Sequence, residues 1–223
     1  LWHIMKMYAH HGFKEFVICL GYRGSQIKEY FLNYHAMSSD FSIQLGSRDE
    51  IDIHVAHDEE DLTVTLADTG LETGTGGRVK RVQKYLDNEP FMVTYGDGVS
   101  DVDLSKVVAF HRQHGKLATV TAVHAPSRFG QIEIANDHAV SEFREKQPLE
   151  DWISAGFFVF EPGVLEYLDT NSTLEQDPLE ALRSDGQLSA YQHDGFWQPM
   201  DTYRESQILN KLWDSGNAPW KTW

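Results

Sequence analysis

Residues 91–103 read FMVTYGDGVSDVD, and this stretch decides the fold. The apolar run 91–95 is typical of a short buried strand in a parallel sheet. The segment LSKVVAFHRQHG follows with helical periodicity, with Asp103 placed to cap its start and Gly115 to end it. A strand that leads into a helix is the repeating unit of an α/β sheet, so Asp97 is predicted at the carboxyl end of a strand.

The rest of the chain repeats this alternation. Further strands are predicted at 16–20, 62–70, 117–125, 131–137, 139–146 and 154–161. Further helices are predicted from the start to about 11 and at 25–34, 76–86, 164–169, 178–186 and 203–216. The pattern predicts one α/β domain over residues 1–223, with helices on both faces of a mixed, mostly parallel central sheet.

Composition narrows the function classes. The 223 residues are 41% hydrophobic and carry 19 Lys and Arg against 34 Asp and Glu, a net charge of −15. A nucleic-acid-binding surface needs clustered positive charge, so we expect no nucleic-acid partner, and an anionic substrate would need a local cation or a metal. No apolar run is long enough to span a membrane. The single cysteine, Cys19, cannot form an internal disulfide, which favours a reducing compartment such as the cytoplasm.

Asp97 has two interpretations. An Asp-Gly pair between two strands is a common hairpin turn. In open α/β sheets, however, ligands lie outside the carboxyl ends of the strands, and the flanking Gly96 and Gly98 would let a ligand approach the backbone. A carboxylate there would suit Mg²⁺ carrying phosphates, since Mg²⁺ is usually held by one or two protein carboxylates.

A metal site of this kind calls for a second carboxylate. Asp201, in GFWQPMDTYRE, is the candidate because it follows a strand-like run and precedes a helix. The competing interpretation is that Asp201 caps that helix, with Glu205 near the first turn. Taken alone, the sequence slightly favours the cap.

Other polar segments also have two interpretations. Thr75, Gly76 and Gly77 begin a predicted helix whose free amides could meet a nucleotide, although glycines are also ordinary punctuation. Lys146 ends a predicted strand, where its ammonium could bind a sugar phosphate or simply be solvated. Asp101 and Asp103 form an Asp-x-Asp pair that would suit a metal-dependent glycosyltransferase with a nucleotide-sugar donor. A non-catalytic nucleotide-sugar-binding protein is the third alternative.

Many short segments in order resemble one family. LWHIMKMY, CLGYRGSQIKEYF, TGGRVKR, TYGDGVSDVD, SAGFFVFEP, GFWQPMDT and APWKTW are similar to bacterial glucose-1-phosphate cytidylyltransferases over nearly the whole chain. The resemblance implies a Rossmann-like nucleotidyltransferase fold and a cytoplasmic, homo-oligomeric enzyme. Its reaction would join CTP to α-D-glucose 1-phosphate with Mg²⁺, giving pyrophosphate and CDP-glucose for deoxysugars of surface polysaccharides.

The same resemblance assigns site residues. Asp97 and Asp201 would be the metal pair, and Thr75, Gly76 and Gly77 would lie by the cytidine. Gly130 would lie near the sugar, and Lys146 would be the catalytic residue at the sugar phosphate. The family also begins with a glycine-rich loop carrying an Arg and a Lys, which does not occur in residues 1–223. We therefore expect the first strand and the phosphate-binding loop to be missing, and this chain alone to be inactive.

Overall fold

The computed structural model describes residues 1–46, 51–54, 61–125, 130–145 and 151–223. Its α-helices are α1 Trp2–His10, α2 Gly24–Leu32, α3 Tyr34–Ser38, α4 Thr75–Arg81, α5 Leu104–His114, α6 Asp177–Ser184 and α7 Tyr203–Asp214. Its strands are β1 Glu15–Leu20, β2 Phe41–Ile43, β3 Ile51–Ile53, β4 Thr63–Asp68, β5 Phe91–Thr94, β6 Gly98–Ser100, β7 Ala118–His124, β8 Gln131–Ile134, β9 Val140–Arg144, β10 Trp152–Phe160, β11 Leu188–Gln192 and β12 Trp197–Pro199.

The chain folds into two compact units. The first contains Leu1–Phe13, Asn88–Val164 and Leu179–Trp223, and the second contains Lys14–Asp87 and Leu165–Pro178. The first is built on a four-stranded sheet in the order β11-β7-β10-β5. Strands β5, β7 and β11 run in one direction and β10 runs against them, so the predicted mixed, mostly parallel sheet is confirmed.

The core of the first unit forms around β10. Phe157, Phe158 and Phe160 are almost fully buried, and α5 packs on the same sheet through Leu104 and Val107. Phe158 and Phe160 alternate to one face of β10 and Phe157 lies on the other, while Leu104 and Val107 recur at the helical spacing that brings both to one side of α5. Two small antiparallel sheets, β6 with β12 and β8 with β9, complete the unit.

The second unit is built on the parallel pair β1 and β4. Arg78, from α4, joins the carboxyl ends of these strands: its Nη1 donates to the Leu20 carbonyl oxygen at 3.1 Å and to Thr69 Oγ1 at 2.7 Å. Thr69 is fully buried and its hydroxyl also donates to the Leu20 carbonyl, at 2.8 Å. The guanidinium therefore adds a donor to a carbonyl that already accepts from Thr69, and it ties the ends of both strands to α4.

Helix α5 begins and ends as predicted. The Asp103 side chain accepts from the Lys106 amide at 3.1 Å, and Gly115 has φ +65°. Partial burial raises the pKa of Asp103, but the hydrogen bonds and charge of Lys106 outweigh it and hold the pKa below its usual value. The cap therefore keeps its negative charge at the positive end of the helix dipole.

Three predicted elements differ from the structure. The helix predicted directly after GDG is preceded by strand β6. The helix predicted at 76–86 ends at Arg81 and continues only as a 3-10 turn, Gln83–Tyr85, and the helix predicted at 164–169 is the 3-10 segment Pro162–Tyr167. Within the described ranges, every helix falls short of the length and apolarity needed to cross a membrane.

Candidate active site

Asp97 lies between strands of different sheets. The strand before it, β5, pairs with β10, and the strand after it, β6, pairs with β12. The hairpin interpretation of the Asp-Gly pair is therefore wrong, because a hairpin turn joins strands that pair with each other. The Asp97 side chain is exposed, while the three residues of β6 that follow are buried. The acid thus stands at the open end of a buried strand.

Asp201 lies next to Asp97, although 104 positions separate them in the sequence. In the antiparallel pair of β6 and β12, Gly98 lies opposite Pro199. One step further, the Met200 amide donates to the Asp97 carbonyl oxygen at 2.8 Å. Asp201 follows Met200 and is exposed like Asp97. The structure therefore brings the two predicted metal ligands to the same end of one strand pair.

The cap of α7 is Thr202, and not Asp201. The Thr202 hydroxyl accepts from the Glu205 amide at 3.3 Å, and Glu205 Oε2 accepts from the Thr202 amide at 2.9 Å, which completes a capping box. Glu205 Oε2 also accepts from the Asp201 amide at 2.9 Å. Glu205 is 7% exposed. The capping interpretation of the Asp201 side chain is wrong, and Asp201 is held by its backbone.

This arrangement fits a magnesium ion that also binds phosphates. The two acids offer hard oxygen ligands at an exposed position, which Mg²⁺ prefers, and phosphates and water would complete its octahedral shell. Among the described residues, no group of three or more His, Cys, Asp or Glu side chains comes close enough to hold a metal by itself. The donor set is thus typical of a shared substrate-metal site rather than a closed structural one.

A glycine in β10 shapes the backbone before Asp97. Gly156 has φ +77°, and its carbonyl oxygen accepts from the Tyr95 amide at 3.2 Å. A Cβ at this position would overlap the Tyr95 ring. Beside it, Trp197 of β12 donates through Nε1 to the Ala155 carbonyl oxygen at 3.0 Å. The irregular middle of β10 therefore supports both segments that carry the acids.

The acids of the Asp-x-Asp pair are engaged in the fold. Asp101 Oδ1 accepts from the Phe196 amide at 2.7 Å and lies 2.9 Å from His193 Nε2. Asp103 caps α5 and lies 3.3 Å from the Lys106 ammonium. Because each carboxylate has a structural partner, the pair lacks the free donors of a two-acid metal site.

The predicted nucleotide residues lie in the second unit, at the start of α4. The Gly77 amide donates to the Ser172 carbonyl oxygen at 2.8 Å, and the Thr75 hydroxyl donates to Glu175 Oε2 at 2.6 Å. A Cβ on Gly76 would lie 2.6 Å from Ser172 Oγ, and one on Gly77 would lie 2.5 Å from the Thr170 carbonyl oxygen. Close packing alone thus accounts for both glycines, and their contact with a nucleotide stays a prediction.

The predicted sugar residues belong to the β8 and β9 hairpin. Gly130 is exposed and precedes β8, where a Cβ would lie 2.9 Å from the Phe143 ring. Gln131 pairs with Arg144, which places Gly130 at the open end of the hairpin beside Glu145. Lys146 lies outside the described residues, so its role at the sugar phosphate stays a prediction.

Sequence reasoning missed the residues that support the site. The Thr-x-x-Glu spacing of 202–205 is a capping-box signature, and it could have identified the Thr202 cap. The contacts of Gly156 with Tyr95 and of Asp101 with Phe196 span 61 and 95 positions, respectively. No local pattern reports contacts of that separation.

Comparisons with known proteins agree with this architecture. The model of the nucleotidyl transferase family matches residues 1–202. Glucose-1-phosphate cytidylyltransferases of Salmonella typhimurium and Salmonella typhi are each 49% identical, over 100% of this chain and 87% of the relative. The crystal structure of HddC from Yersinia pseudotuberculosis is similar in fold, with a TM-score of 0.64, 16% identity, and coverage of 95% of this chain and 84% of that one. The chain belongs to the nucleotidyl transferase family.

Proposed function

We propose that this chain is a glucose-1-phosphate cytidylyltransferase. The observation that carries the proposal is the 49% identity to the two Salmonella enzymes over the entire chain. The position of Asp97 and Asp201 supports it, because the strand pair of β6 and β12 brings two exposed acidic residues from distant parts of the sequence to its same end. The substrates would be CTP and α-D-glucose 1-phosphate, and the products CDP-glucose and pyrophosphate.

The reaction is a direct displacement at phosphorus. A phosphate oxygen of glucose 1-phosphate attacks the α-phosphorus of CTP and forms the new P–O bond. The bond from that phosphorus to the oxygen bridging to the β-phosphate breaks, and pyrophosphate leaves with the electron pair. No protein nucleophile is needed, so the task of the protein is to align the reactants and neutralise charge.

Each predicted residue has a task in that alignment. Asp97 and Asp201 would hold Mg²⁺, which when bound supplies positive charge to the triphosphate. Lys146 would bind and orient the attacking phosphate, and Gly130 would leave room for the sugar. Thr75, Gly76 and Gly77 would lie by the cytidine, with the close packing of the two glycines fixing the backbone there.

The glycosyltransferase alternative is disfavoured by the contacts of its own motif. Asp101 accepts from the Phe196 amide and Asp103 caps α5. A metal bound by both acids would have to displace these partners. The hydrogen bond of Asp101 with the Phe196 amide and that of Asp103 with the start of α5 would then be lost. The remaining alternative, a nucleotide-sugar-binding protein without activity, differs from the proposal only in turnover.

We also propose that turnover requires a glycine-rich phosphate loop ahead of Leu1, as the resemblance implies. That loop would supply preorganised donors to the triphosphate, and losing one such donor costs roughly a hundred- to thousandfold in rate. Turnover experiments therefore use a chain with that loop supplied, here named the extended chain.

A pyrophosphate-release assay tests the proposal. The extended chain is incubated with Mg²⁺, glucose 1-phosphate and one nucleoside triphosphate. Separate reactions contain CTP, UTP, GTP or dTTP. We expect release only with CTP, and CDP-glucose as the second product. Sugar transfer from a supplied nucleotide sugar, without pyrophosphate release, would support the glycosyltransferase. Nucleotide-sugar binding with no turnover of either kind would support the non-catalytic alternative.

A homo-oligomer in the cytoplasm completes the proposal, with CDP-glucose serving deoxysugar and surface-polysaccharide synthesis. One face of the β8 and β9 hairpin is apolar and 51–64% exposed, formed by Ile132, Ile134, Val140 and Phe143. Exposed apolar sheet faces favour association. If this face joins copies, Phe143→Glu should lower the mass measured by light scattering, whereas Ser141→Glu should not.

A further inference from the structure

Asp101 holds a single residue at the entrance to the strand that leads to Asp201. Its Oδ1 accepts from the Phe196 amide at 2.7 Å, and its own amide donates to the Phe196 carbonyl oxygen at 3.2 Å. The adjacent Ser100 hydroxyl donates to that same carbonyl oxygen at 2.7 Å. Both backbone polar groups of Phe196 are therefore bonded to the end of β6.

The turn before Phe196 closes around the Asp101 carboxylate. His193 Nε2 lies 2.9 Å from Oδ1, and the His193 side chain is 14% exposed. A Cβ on Gly195 would lie 2.5 Å from the same oxygen, so a larger residue there would push the carboxylate away. From the other direction, the Phe196 ring stacks on Trp220, which is 1% exposed, with centroids 5.8 Å apart.

The position of Phe196 determines which residues of β12 meet β6. Trp197 pairs with Ser100, Gln198 with Val99 and Pro199 with Gly98. With three paired residues, the strand has few ladder bonds of its own to resist a slip. A shift of one residue would separate Met200 from the Asp97 carbonyl oxygen and turn the side chains of β12 to the opposite face.

We propose that Asp101 is a positioning residue: by anchoring Phe196 it sets the register of β12 on β6, and thereby the spacing of Asp97 and Asp201 at which the metal binds. The proposal rests on the proposed function, because it presumes that these two acids share a divalent cation. It gives the first acid of the Asp-x-Asp pair a task that involves no contact with metal or substrate. The second acid, Asp103, serves as a matched control, since it caps α5 and its carboxylate contacts Lys106 and His11.

Mn²⁺ titration observed by methyl NMR tests this without measuring turnover. The protein is labelled on its five methionine methyl groups. The Met200 signal, assigned by Met200→Leu, should broaden first because Met200 lies between the two acids in the strand pair. Met37, which is 81% exposed, supplies a control signal for nonspecific Mn²⁺ binding at the surface. We expect Asp101→Ala to raise the Mn²⁺ concentration for half-broadening at least tenfold, and Asp101→Asn to raise it less, because its amide oxygen still accepts from Phe196.

The control variants make the outcomes distinct. Asp103→Ala should lower the thermal midpoint yet leave the Met200 titration within about twofold of the unsubstituted protein. If Asp97→Asn abolishes the broadening but both Asp101 variants titrate normally, Asp101 does not position the site and the metal pair stands. If Asp97→Asn leaves the broadening unchanged, Asp97 does not bind the metal, and both the metal site and the positioning role of Asp101 are contradicted. Should Asp101→Ala not fold, Gly195→Ala decides in its place, because its Cβ would push the Asp101 carboxylate away from the Phe196 amide: a normal titration overturns the proposal, and a weakened one supports it.

Discussion

The Tyr95 ring lies where a side chain at Gly156 would have to be. The Tyr95 amide donates to the Gly156 carbonyl oxygen at 3.2 Å, and Gly156 has φ +77°. Tyr95 precedes Gly96 and Asp97, so any movement of the tyrosine is passed to the proposed metal ligand within two residues. The glycine of β10 thus sets the conformation of a segment 61 positions earlier in the chain.

Gly156→Ala should therefore reduce both stability and activity. The left-handed conformation costs a non-glycine residue about 1–2 kcal/mol, and overlap with the ring adds about 1–3 kcal/mol. Urea unfolding measures the first effect, and pyrophosphate release by the extended chain measures the second. The matched control is Gly115→Ala, because Gly115 has φ +65° with no atom within 4 Å of its Cβ position. Equal losses of activity in the two variants would contradict the link from Gly156 to Asp97.

Lys146→Ala should weaken binding of glucose 1-phosphate much more than binding of CTP. The substitution removes a positive charge that we place at the sugar phosphate alone, and charge-assisted contacts of this kind are stronger than neutral ones. Separate KM values of the extended chain for the two substrates measure the difference. Arg144→Ala, two positions earlier in the sequence, is the control, because Arg144 pairs with Glu133 and Glu142. Equal rises in both KM values for Lys146→Ala would count against the assignment.

The free energy of unfolding should fall as the pH drops below about 6.5. His111 is 1% exposed, and burial lowers its pKa although Glu161 at 3.3 Å raises it and Arg112 lowers it further. Burial also lowers the pKa of His114, with His111 and Lys116 adding to the effect. The unfolded chain then binds more protons than the folded one in this range, so stability rises with pH and is lost as pH falls.

Urea unfolding, with its midpoint concentration measured at several pH values between 5.5 and 7.5, tests this dependence of stability on pH. Both histidines lie 2.7 Å from the Thr119 hydroxyl, so a proton on either ring disturbs a buried network. His111→Gln should flatten the dependence, whereas His10→Gln, at an exposed position of α1, should leave it unchanged. An undiminished slope in the His111 variant would show that the acid sensitivity arises elsewhere.

The sequence predicts elements better than it predicts their partners. Helix α5 was predictable to the residue because Asp103, the apolar spacing and Gly115 all act within twelve positions. Strand β6 was missed because three residues form a strand only through pairing with β12, almost a hundred positions away. The candidate acids could be chosen from their place after strands, but the choice between capping and metal binding for Asp201 depended on whether Thr202 capped α7 instead.

The most direct test of the central claim is a double-mutant cycle on Asp97 and Asp201 in the extended chain. Both changes, Asp97→Asn and Asp201→Asn, are nearly isosteric, so the thermal midpoint should change little. Each should lower kcat/KM for CTP by roughly a hundred- to thousandfold, in line with loss of one preorganised charge-stabilising group. Asp52→Asn, at an exposed position of β3, should have no effect.

We expect the double variant to be no slower than the slower single variant, because once one acid is lost the shared metal is lost with it. If the fold-decrease in kcat/KM of the double variant equals the product of the two single decreases, the two carboxylates act independently. Turnover close to that of the unsubstituted extended chain in either single variant would contradict the account outright.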